Sequence, residues 1–237
     1  MSPNQPIVAP TRDPLADLHR ALRRGTTRLH DLYRTARALR DDPERLRLSL
    51  AYLRGSDEAL AEVAGRSYTH PNGFAKIVLQ VGGGYGIRLH VWHKQQGQRI
   101  SDANPHGHRW EFASWVVTGA LRETVYTEVA RGDVHRRCDY DRGLDGVGFL
   151  TPNGSAALRI VDQIDRTAGS VYQRSRTVVH TVTPIGSDLV ASLILQGPQS
   201  VEPAPVYLQP DQDTHHDERQ LEPGQLRDLL AEVAVAI

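Results

Sequence analysis

Residues 105–121 read PHGHRWEFASWVVTGAL, and they decide how the rest of the chain is interpreted. One residue separates His106 from His108, and alternate residues of a β-strand point to the same face of a sheet. The two imidazoles are therefore expected to project together from one strand. Imidazole suits iron, zinc, copper and nickel, and a third histidine from a neighbouring strand would complete a site with positions left open for substrate.

The third histidine is predicted to be His180, which follows the short apolar run Val178-Val179. The chain has 11 histidines, so an isolated pair at this spacing would be weak support for a metal site. The residues around these histidines strengthen the prediction of a metal site. Residues 105–121 resemble the first motif of the cupin superfamily, in which His-x-His precedes a Glu and then a Gly at a turn, here Gly119. Residues 172–182, YQRSRTVVHTV, resemble the second motif with its single histidine.

This resemblance implies a mainly β fold, a double-stranded β-helix or jelly-roll barrel, with a metal held by three histidines: His106, His108 and His180. Counting back from Gly119, the position of the cupin glutamate ligand falls on Phe112. Strand parity places Phe112 on the inward face with the histidines and Glu111 on the opposite face, which favours a three-histidine site. If a bulge shifts the parity, Glu111 becomes a fourth ligand.

The helical segment before the barrel gives the chain a more specific resemblance to the thiol dioxygenases, notably cysteine dioxygenase, over roughly residues 15–200. This resemblance implies a mononuclear Fe(II) site that uses O2 and a small anionic substrate. It depends on short features: Tyr68-Thr69, Trp92, the run GALRET at 119–124 and the spacing from Tyr172 to His180. Two family positions differ. The arginine that binds the substrate carboxylate is replaced by His70, and the catalytic tyrosine falls close to Gln196, so cysteine dioxygenation itself is not predicted.

The patterning divides the chain into four segments. Residues 1–12 carry three prolines and predict a flexible lead. Residues 13–66 predict helices, because leucines recur at helical spacing and Asp13-Pro14 is typical of a helix start. Residues 67–209 alternate short apolar runs with glycine- or proline-bearing turns, as in a barrel. Residues 210–237 predict a loop and a short helix, and His215-His216 is interpreted as part of that loop.

Composition excludes several classes of function. The 237 residues include 28 Lys and Arg against 28 Asp and Glu, so no overall positive charge attracts nucleic acid or an anionic membrane. Cys138 is the one cysteine of the sequence, which excludes an intramolecular disulfide. No apolar stretch approaches the roughly 20 residues that span a bilayer, and no signal-peptide pattern is present. A cytoplasmic location is therefore expected, and a homodimer is left open.

The run at 87–92 supplies candidates for binding a substrate. Arg88, His90 and Trp92 alternate with three apolar residues and share one face of the predicted strand. If this face lines the barrel cavity, Arg88 could bind a carboxylate or phosphate and His90 could act as acid or base; a solvent-facing edge is the alternative. Tyr172 is a second candidate for proton transfer. Further candidates for substrate contact, each with plain packing as the alternative, are Tyr68, His70, Trp110, Phe112 and Gln196.

Three functions are compatible with these residues. The favoured one is a mononuclear non-haem iron dioxygenase that acts on a small anionic molecule, amino-acid-like or thiol, together with O2. The second is an isomerase, lyase or cyclase without redox chemistry that uses Zn, Ni or Mn. The third is a module that binds a small molecule. The fold does not choose among them.

Overall fold

The helical segment predicted for residues 13–66 consists of four helices, α1 (Pro14–Arg23), α2 (Leu29–Asp41), α3 (Glu44–Gly55) and α4 (Asp57–Ala64), and the predicted C-terminal helix is α5 (Pro223–Ala236). The computed structural model describes residues 10–24, 28–70, 72–93, 104–142, 148–212 and 218–237. Most of the predicted lead 1–12, and His215-His216, lie outside the described residues. Within the described part, every helix is too short or too polar to cross a membrane.

The described residues form twelve strands: β1 (Tyr68–His70), β2 (Phe74–Gly82), β3 (Tyr85–His93), β4 (Phe112–Thr118), β5 (Ala120–Val129), β6 (Asp133–Arg142), β7 (Gly148–Thr167), β8 (Val171–Arg174), β9 (Val179–Ile185), β10 (Leu189–Gln196), β11 (Ala204–Leu208) and β12 (Arg219–Gln220). They make a seven-stranded sheet in the order β12-β1-β2-β3-β10-β4-β8 and a five-stranded sheet in the order β11-β6-β7-β5-β9. The protein is therefore mainly β, as predicted.

The strand pairing has the nested order of a jelly roll. β3 pairs with β10, the segment around His106 pairs with β9, β4 pairs with β8, and β5 pairs with β7. Each of these antiparallel pairs encloses the next along the chain, so the ribbon wraps into two facing sheets. This is the cupin-type barrel that the sequence predicts.

Alternation along β3 explains where the helices lie. Ile87, Leu89 and Val91 are buried in one apolar cluster with leucines from α1 to α5. The intervening side chains point into the barrel. Asp13 fixes the first helix in this arrangement: its carboxylate accepts from the Leu15 amide at 2.9 Å and from Gln80 Nε2 of β2 at 2.6 Å. The predicted N-cap thus also joins a helix to the sheet.

The region of strands β5, β6 and β7 differs from the pattern that the sequence predicts. The sequence predicts separate short strands at 148–150 and 158–161, but both belong to β7. The register of β6 and β7 shifts at residues 152–155, and Gly154, with a φ of 83°, lies in this bulge, so the chain continues instead of turning. β6, which the sequence reading missed, then pairs with β11. The hairpin of β6 and β7 thereby reaches β11, the strand that flanks His106.

The turn between β4 and β5 confirms the position assigned to Gly119. Its φ is 72°, a conformation that favours glycine. A Cβ atom there would lie 2.7 Å from Val190 Cγ2 and 2.8 Å from the Leu189 carbonyl oxygen. Any larger residue would push β10 away from the turn.

Candidate metal centre

Three histidine side chains converge inside the barrel: His106, His108 and His180. One ring nitrogen of each lies within 4.8 Å of those of the other two. The Nε2 atoms of His108 and His180 are 2.9 Å apart. Two ligands at about 90° around a metal about 2.0–2.1 Å from each would be about 2.9 Å apart, so this spacing suits a shared metal ion.

Backbone pairing places the first of these histidines. The amide of His106 donates to the His180 carbonyl and the His180 amide donates back, both at 3.0 Å. On its other side, the Gly107 amide donates to the Pro205 carbonyl at 2.8 Å. A Cβ on Gly107 would lie 3.0 Å from Pro205 Cδ, so the glycine of the His-Gly-His run permits this close approach of β11. The motif histidines are thus held between β9 and β11.

Hydrogen bonds on the outer ring nitrogens orient two of the imidazoles. Nδ1 of His106 lies 2.8 Å from the Asn104 carbonyl oxygen, and Nδ1 of His180 lies 2.9 Å from Glu123 Oε1. Because a carbonyl and a carboxylate can only accept, each Nδ1 carries the proton and donates it. Each Nε2 then presents a lone pair to the centre. Such outer partners are usual for histidines that bind metals.

Glu123 is the centre of a buried ionic network. Its side chain is fully buried and accepts from Arg166 Nη2 and Arg174 Nη2, both at 2.6 Å, as well as from His180. Burial is the largest influence on its pKa and would raise it, but the hydrogen bonds from His180, Arg174 and Arg166 and the charge of His180 together lower the pKa to about 2. The carboxylate therefore stays ionised and holds His180 in one tautomer.

Burial keeps His106 and His108 neutral. Loss of solvent, followed by the nearby charge of His180, lowers the pKa of His106 to about 4. Burial also lowers the pKa of His108 well below its usual value, with His106 and His180 adding to the effect. Neutral imidazole is the form that binds metal, so this donor set fits a single divalent ion.

Glu111 lies away from the three histidines. Among the described residues, the group whose ligand atoms lie close enough to share a metal ion consists of the three histidines and does not include Glu111. Residues 107–111 lie outside the named strands, and the irregularity in the pairing of β4 with β10 falls at Val117. Phe112 instead faces inward, with its ring centroid 5.0 Å from that of His108 and 5.9 Å from that of His180. An aromatic ring thus occupies the position of the cupin carboxylate.

The histidines lie at the junction of two connected chambers. The outer chamber has a volume of about 340 Å³ and the inner one about 70 Å³. Of the predicted substrate and catalytic residues, the outer chamber is lined by Tyr68, His70, Arg88, His90 and Trp110. The inner chamber is lined by Arg88, His90, Trp92, Trp110, Phe112 and Tyr172. Gln196 lines neither chamber. It is the last residue of β10 and lies opposite Gly86 of β3.

Arg88 and His90 occupy the wall shared by both chambers. The Arg88 guanidinium carbon lies 4.7 Å from the centre of the Trp110 ring, an arrangement that fixes the cation over an aromatic face. Burial, with the charges of Lys76 and Arg88, holds the pKa of His90 well below its usual value. Its Nε2 is buried and has no hydrogen-bond partner among the described residues. It is therefore a neutral imidazole available to a ligand.

Tyr172 forms part of the inner floor. The guanidinium carbons of Arg166 and Arg174 lie 4.0 Å and 5.6 Å from the centre of its ring. Burial, followed by the negative charge of Glu123, raises the pKa of the phenol to about 12. The hydroxyl therefore stays protonated near neutral pH.

Sequence reasoning missed several residues of the site, among them Glu123 and Lys76. Glu123 shares the strand parity of the buried Leu121, and a charged residue at such an inward position was a usable signal. Lys76 lies in the predicted apolar run of β2 and lines the outer chamber, with Nζ 2.6 Å from the Tyr68 hydroxyl. Its partner strand could not be read from the sequence.

No family model matches the chain, and no curated protein matches it. Solved structures that are similar to it include a cupin superfamily protein from Desulfitobacterium hafniense, with a TM-score of 0.29, 10% identity and coverage of 54% of this chain and 80% of that one. A putative sugar phosphate isomerase from Acidithiobacillus ferrooxidans has a TM-score of 0.34 and 13% identity, with coverage of 65% of this chain and 84% of that one. Hydroquinone 1,2-dioxygenase from Sphingomonas sp. TTNP3 has a TM-score of 0.32 and 10% identity, with coverage of 53% of this chain and 66% of that one. At such scores the barrel assignment depends on the strand pairing itself.

Proposed function

We propose that this protein is a metal-dependent enzyme, a mononuclear non-haem iron oxygenase that acts on a small anionic molecule together with O2. The observation that carries the proposal is the convergence of three imidazoles beside the inner chamber. His106, His108 and His180 would hold the ion. A bound metal would act as a Lewis acid and as a template that brings the two reactants together.

The charge of the ligand set favours an anionic substrate. Three neutral histidines leave the charge of a divalent ion uncompensated, whereas a carboxylate ligand would offset part of it. Arg88 adds a fixed cation on the wall that both chambers share. An anion therefore gains from both charges, and the buried setting strengthens the attraction.

The inner chamber is suited to exclude water and to control protons. Phe112, Trp92 and Ile194 form its apolar lining. The Tyr172 phenol keeps its proton near neutral pH and can donate a hydrogen bond, while the neutral His90 imidazole can accept or donate one. These two residues are the candidates for moving a proton to or from a bound molecule.

A second candidate is an isomerase, lyase or cyclase that uses Zn, Ni or Mn, and the same His90 favours it. A buried neutral imidazole next to an anion site can accept a proton from a bound molecule without any redox step. Turnover that continues in the absence of oxygen would select this function.

The first experiment is elemental analysis of protein purified without a polyhistidine tag. We expect about one metal ion per chain, and its loss in His180→Ala. His135→Ala is the matched control, because His135 is also buried but is not one of the three converging histidines. Iron, followed by substrate-dependent oxygen uptake by the reconstituted protein, supports the oxygenase. Metal that survives loss of His180 contradicts the site.

A further inference from the structure

The carboxylate of Glu123 accepts hydrogen bonds on both of its oxygens. Oε1 accepts from His180 Nδ1 at 2.9 Å and from Arg174 Nε at 2.7 Å. Oε2 accepts from Arg174 Nη2 at 2.6 Å, and from Arg166 Nε and Nη2 at 2.8 and 2.6 Å. A carboxylate has about four lone-pair sites, so these five donors saturate it. Glu123 is therefore held as an ionised acceptor.

This network carries more positive than negative charge. Glu123 supplies one negative charge against the two positive charges of Arg166 and Arg174, which a guanidinium keeps at any physiological pH. Water has little access to these groups, because the carboxylate is fully buried and the two arginine side chains are 13% and 19% exposed. Charges in such a setting are poorly screened, so the excess positive charge acts on the groups around it.

Strand pairing and an aromatic ring hold the two arginines in place. Arg166 of β7 lies opposite the buried Leu121, and Arg174 of β8 lies opposite the inward-facing Phe112. Directly opposite residues share a face of the sheet. Both guanidinium groups also contact the ring of Tyr172, which is buried and lines the inner chamber. Contact with an aromatic ring adds to the attraction that fixes each cation.

The two arginines change what Glu123 can do to His180. A carboxylate behind a metal-binding histidine usually fixes the tautomer of the ring and raises the basicity of the ligand. Here two guanidinium groups share the carboxylate, so its negative charge is offset where it contacts His180. The other outer partner, the Asn104 carbonyl behind His106, is uncharged. Glu123 therefore keeps its effect on the tautomer, while the arginines oppose its effect on basicity.

We infer that Arg166 and Arg174 tune the metal site: by offsetting the charge of Glu123, they keep a bound ion strongly electrophilic and favour ferrous over ferric iron. A positive charge near a redox centre stabilises its less positive oxidation state, since it repels the more highly charged ion more strongly. Both arginines act through Glu123 and His180, so they are positioning residues and not catalytic ones. The inference rests on the proposed function, because it concerns the ion that the three histidines would hold.

The test is the reduction potential of the iron-loaded full-length protein, measured by redox titration and followed by electron paramagnetic resonance. Arg166→Gln and Arg174→Gln each remove one positive charge. Each should shift the equilibrium about tenfold towards ferric iron, which is a fall of about 59 mV for one electron. Glu123→Gln removes the negative charge, so its potential should rise. A purely structural role of the network gives no reason for shifts of opposite sign.

Conservative variants separate the charge from the packing. Arg174→Lys keeps the positive charge and loses the paired hydrogen bonds, so its potential should lie closer to that of the parent protein than the potential of Arg174→Gln. Arg166→Lys and Arg166→Gln form a second pair in case Arg174→Gln does not fold. The control is Arg122→Met, which removes an exposed cation that pairs with Asp165 and should leave the potential unchanged. Circular dichroism and elemental analysis establish that each variant is folded and loaded with iron.

Three outcomes would overturn the inference. The potential could stay unchanged in the folded arginine-to-glutamine variants, or it could move in the same direction as in Glu123→Gln. The lysine variants could also lie no closer to the parent than the glutamine variants, which would mean that geometry and not charge sets the potential. A parent protein that binds no iron would overturn the proposed function as well. Opposite shifts in an iron-loaded protein that consumes no oxygen would support the inference and contradict the oxygenase, so the two proposals fail separately.

Discussion

The two faces of the seven-stranded sheet share one backbone and have opposite chemistry. On β3, Leu89 is fully buried among the helices, while His90, the next residue, faces the chambers. The helices remove the apolar face from water, and this burial supplies stability to the sheet as a whole. The barrel interior can therefore hold cations and unpartnered polar atoms that would destabilise a smaller protein.

The largest effect is expected on the helical face. Leu89→Ala should lower the free energy of unfolding by about 2–5 kcal/mol, because it leaves a cavity in a packed cluster. Urea denaturation measures this loss. The metal content of the folded protein should be unchanged, since no ligand is attached to that face. Loss of metal from the folded variant would show that the two faces are coupled more closely than the comparison implies.

The next effect concerns the network behind the metal site. Glu123→Gln removes the charge that holds the His180 tautomer and pairs with Arg166 and Arg174. Metal affinity, measured by competition with a chelator, should fall about 10- to 100-fold. Circular dichroism of the same samples separates this effect from unfolding. An unchanged affinity in folded Glu123→Gln would mean that the carboxylate has no influence on the ligand.

A smaller effect should appear on acidification of metal-free protein. The pKa of His106 is lowered from 6.5 to about 4, so the unfolded chain takes up this proton before the folded one. The contribution of His106 to the stability is complete above pH 6.5 and declines as the pH falls towards 4, by about 1 kcal/mol between pH 7 and 5.5. The contribution of Glu123, with a pKa near 2, is lost only below its ordinary value of 4.5.

Urea unfolding at the two pH values measures this slope. His106→Asn removes the titrating group, so its unfolding free energy should change less between pH 7 and 5.5 than that of the parent protein. An equal slope in both proteins would assign the pH dependence to other groups.

The smallest effect is expected on the outside of the barrel. Arg122 is next to Glu123 on β5, but it is exposed and pairs with Asp165 at 2.7 Å. Exposed ion pairs contribute little, because water screens them. Arg122→Met should leave both metal affinity and the unfolding midpoint unchanged. A clear loss of metal in this variant would remove the distinction between inward and outward charges on β5.

Much of the site was accessible to strand periodicity. The spacing of His106 and His108 predicts two imidazoles on one face, and the same parity turns Phe112 inward and Glu111 away. The alternation of Arg88, His90 and Trp92 likewise predicts one shared face, which lines the chambers. Along β3 the two-residue period of a strand fixes the direction of a side chain without knowledge of its neighbours. His106 and His108 instead lie outside the named strands, where backbone pairing with β9 and β11 places them.

Contacts between distant strands were not accessible in this way. Family position predicts that Gln196 contacts the substrate, but Gln196 lines neither chamber. Lys76 belongs to the site because β2 pairs with β3 in a register that puts it opposite His90. A shift of one residue would turn it to the helices, and register depends on the packing of whole faces.

The sequence by itself determined the helical segment, the barrel class and the three histidines, because these follow from local periods of 3.6 and 2 residues and from two short motifs. The tertiary structure alone decided that Glu123 contacts His180, since β5 and β9 are joined across more than fifty residues. It also decided that β7 is one long strand, and that rings and cations meet in one chamber. Local geometry directs a side chain to a face, but only the pairing of distant strands supplies its partner.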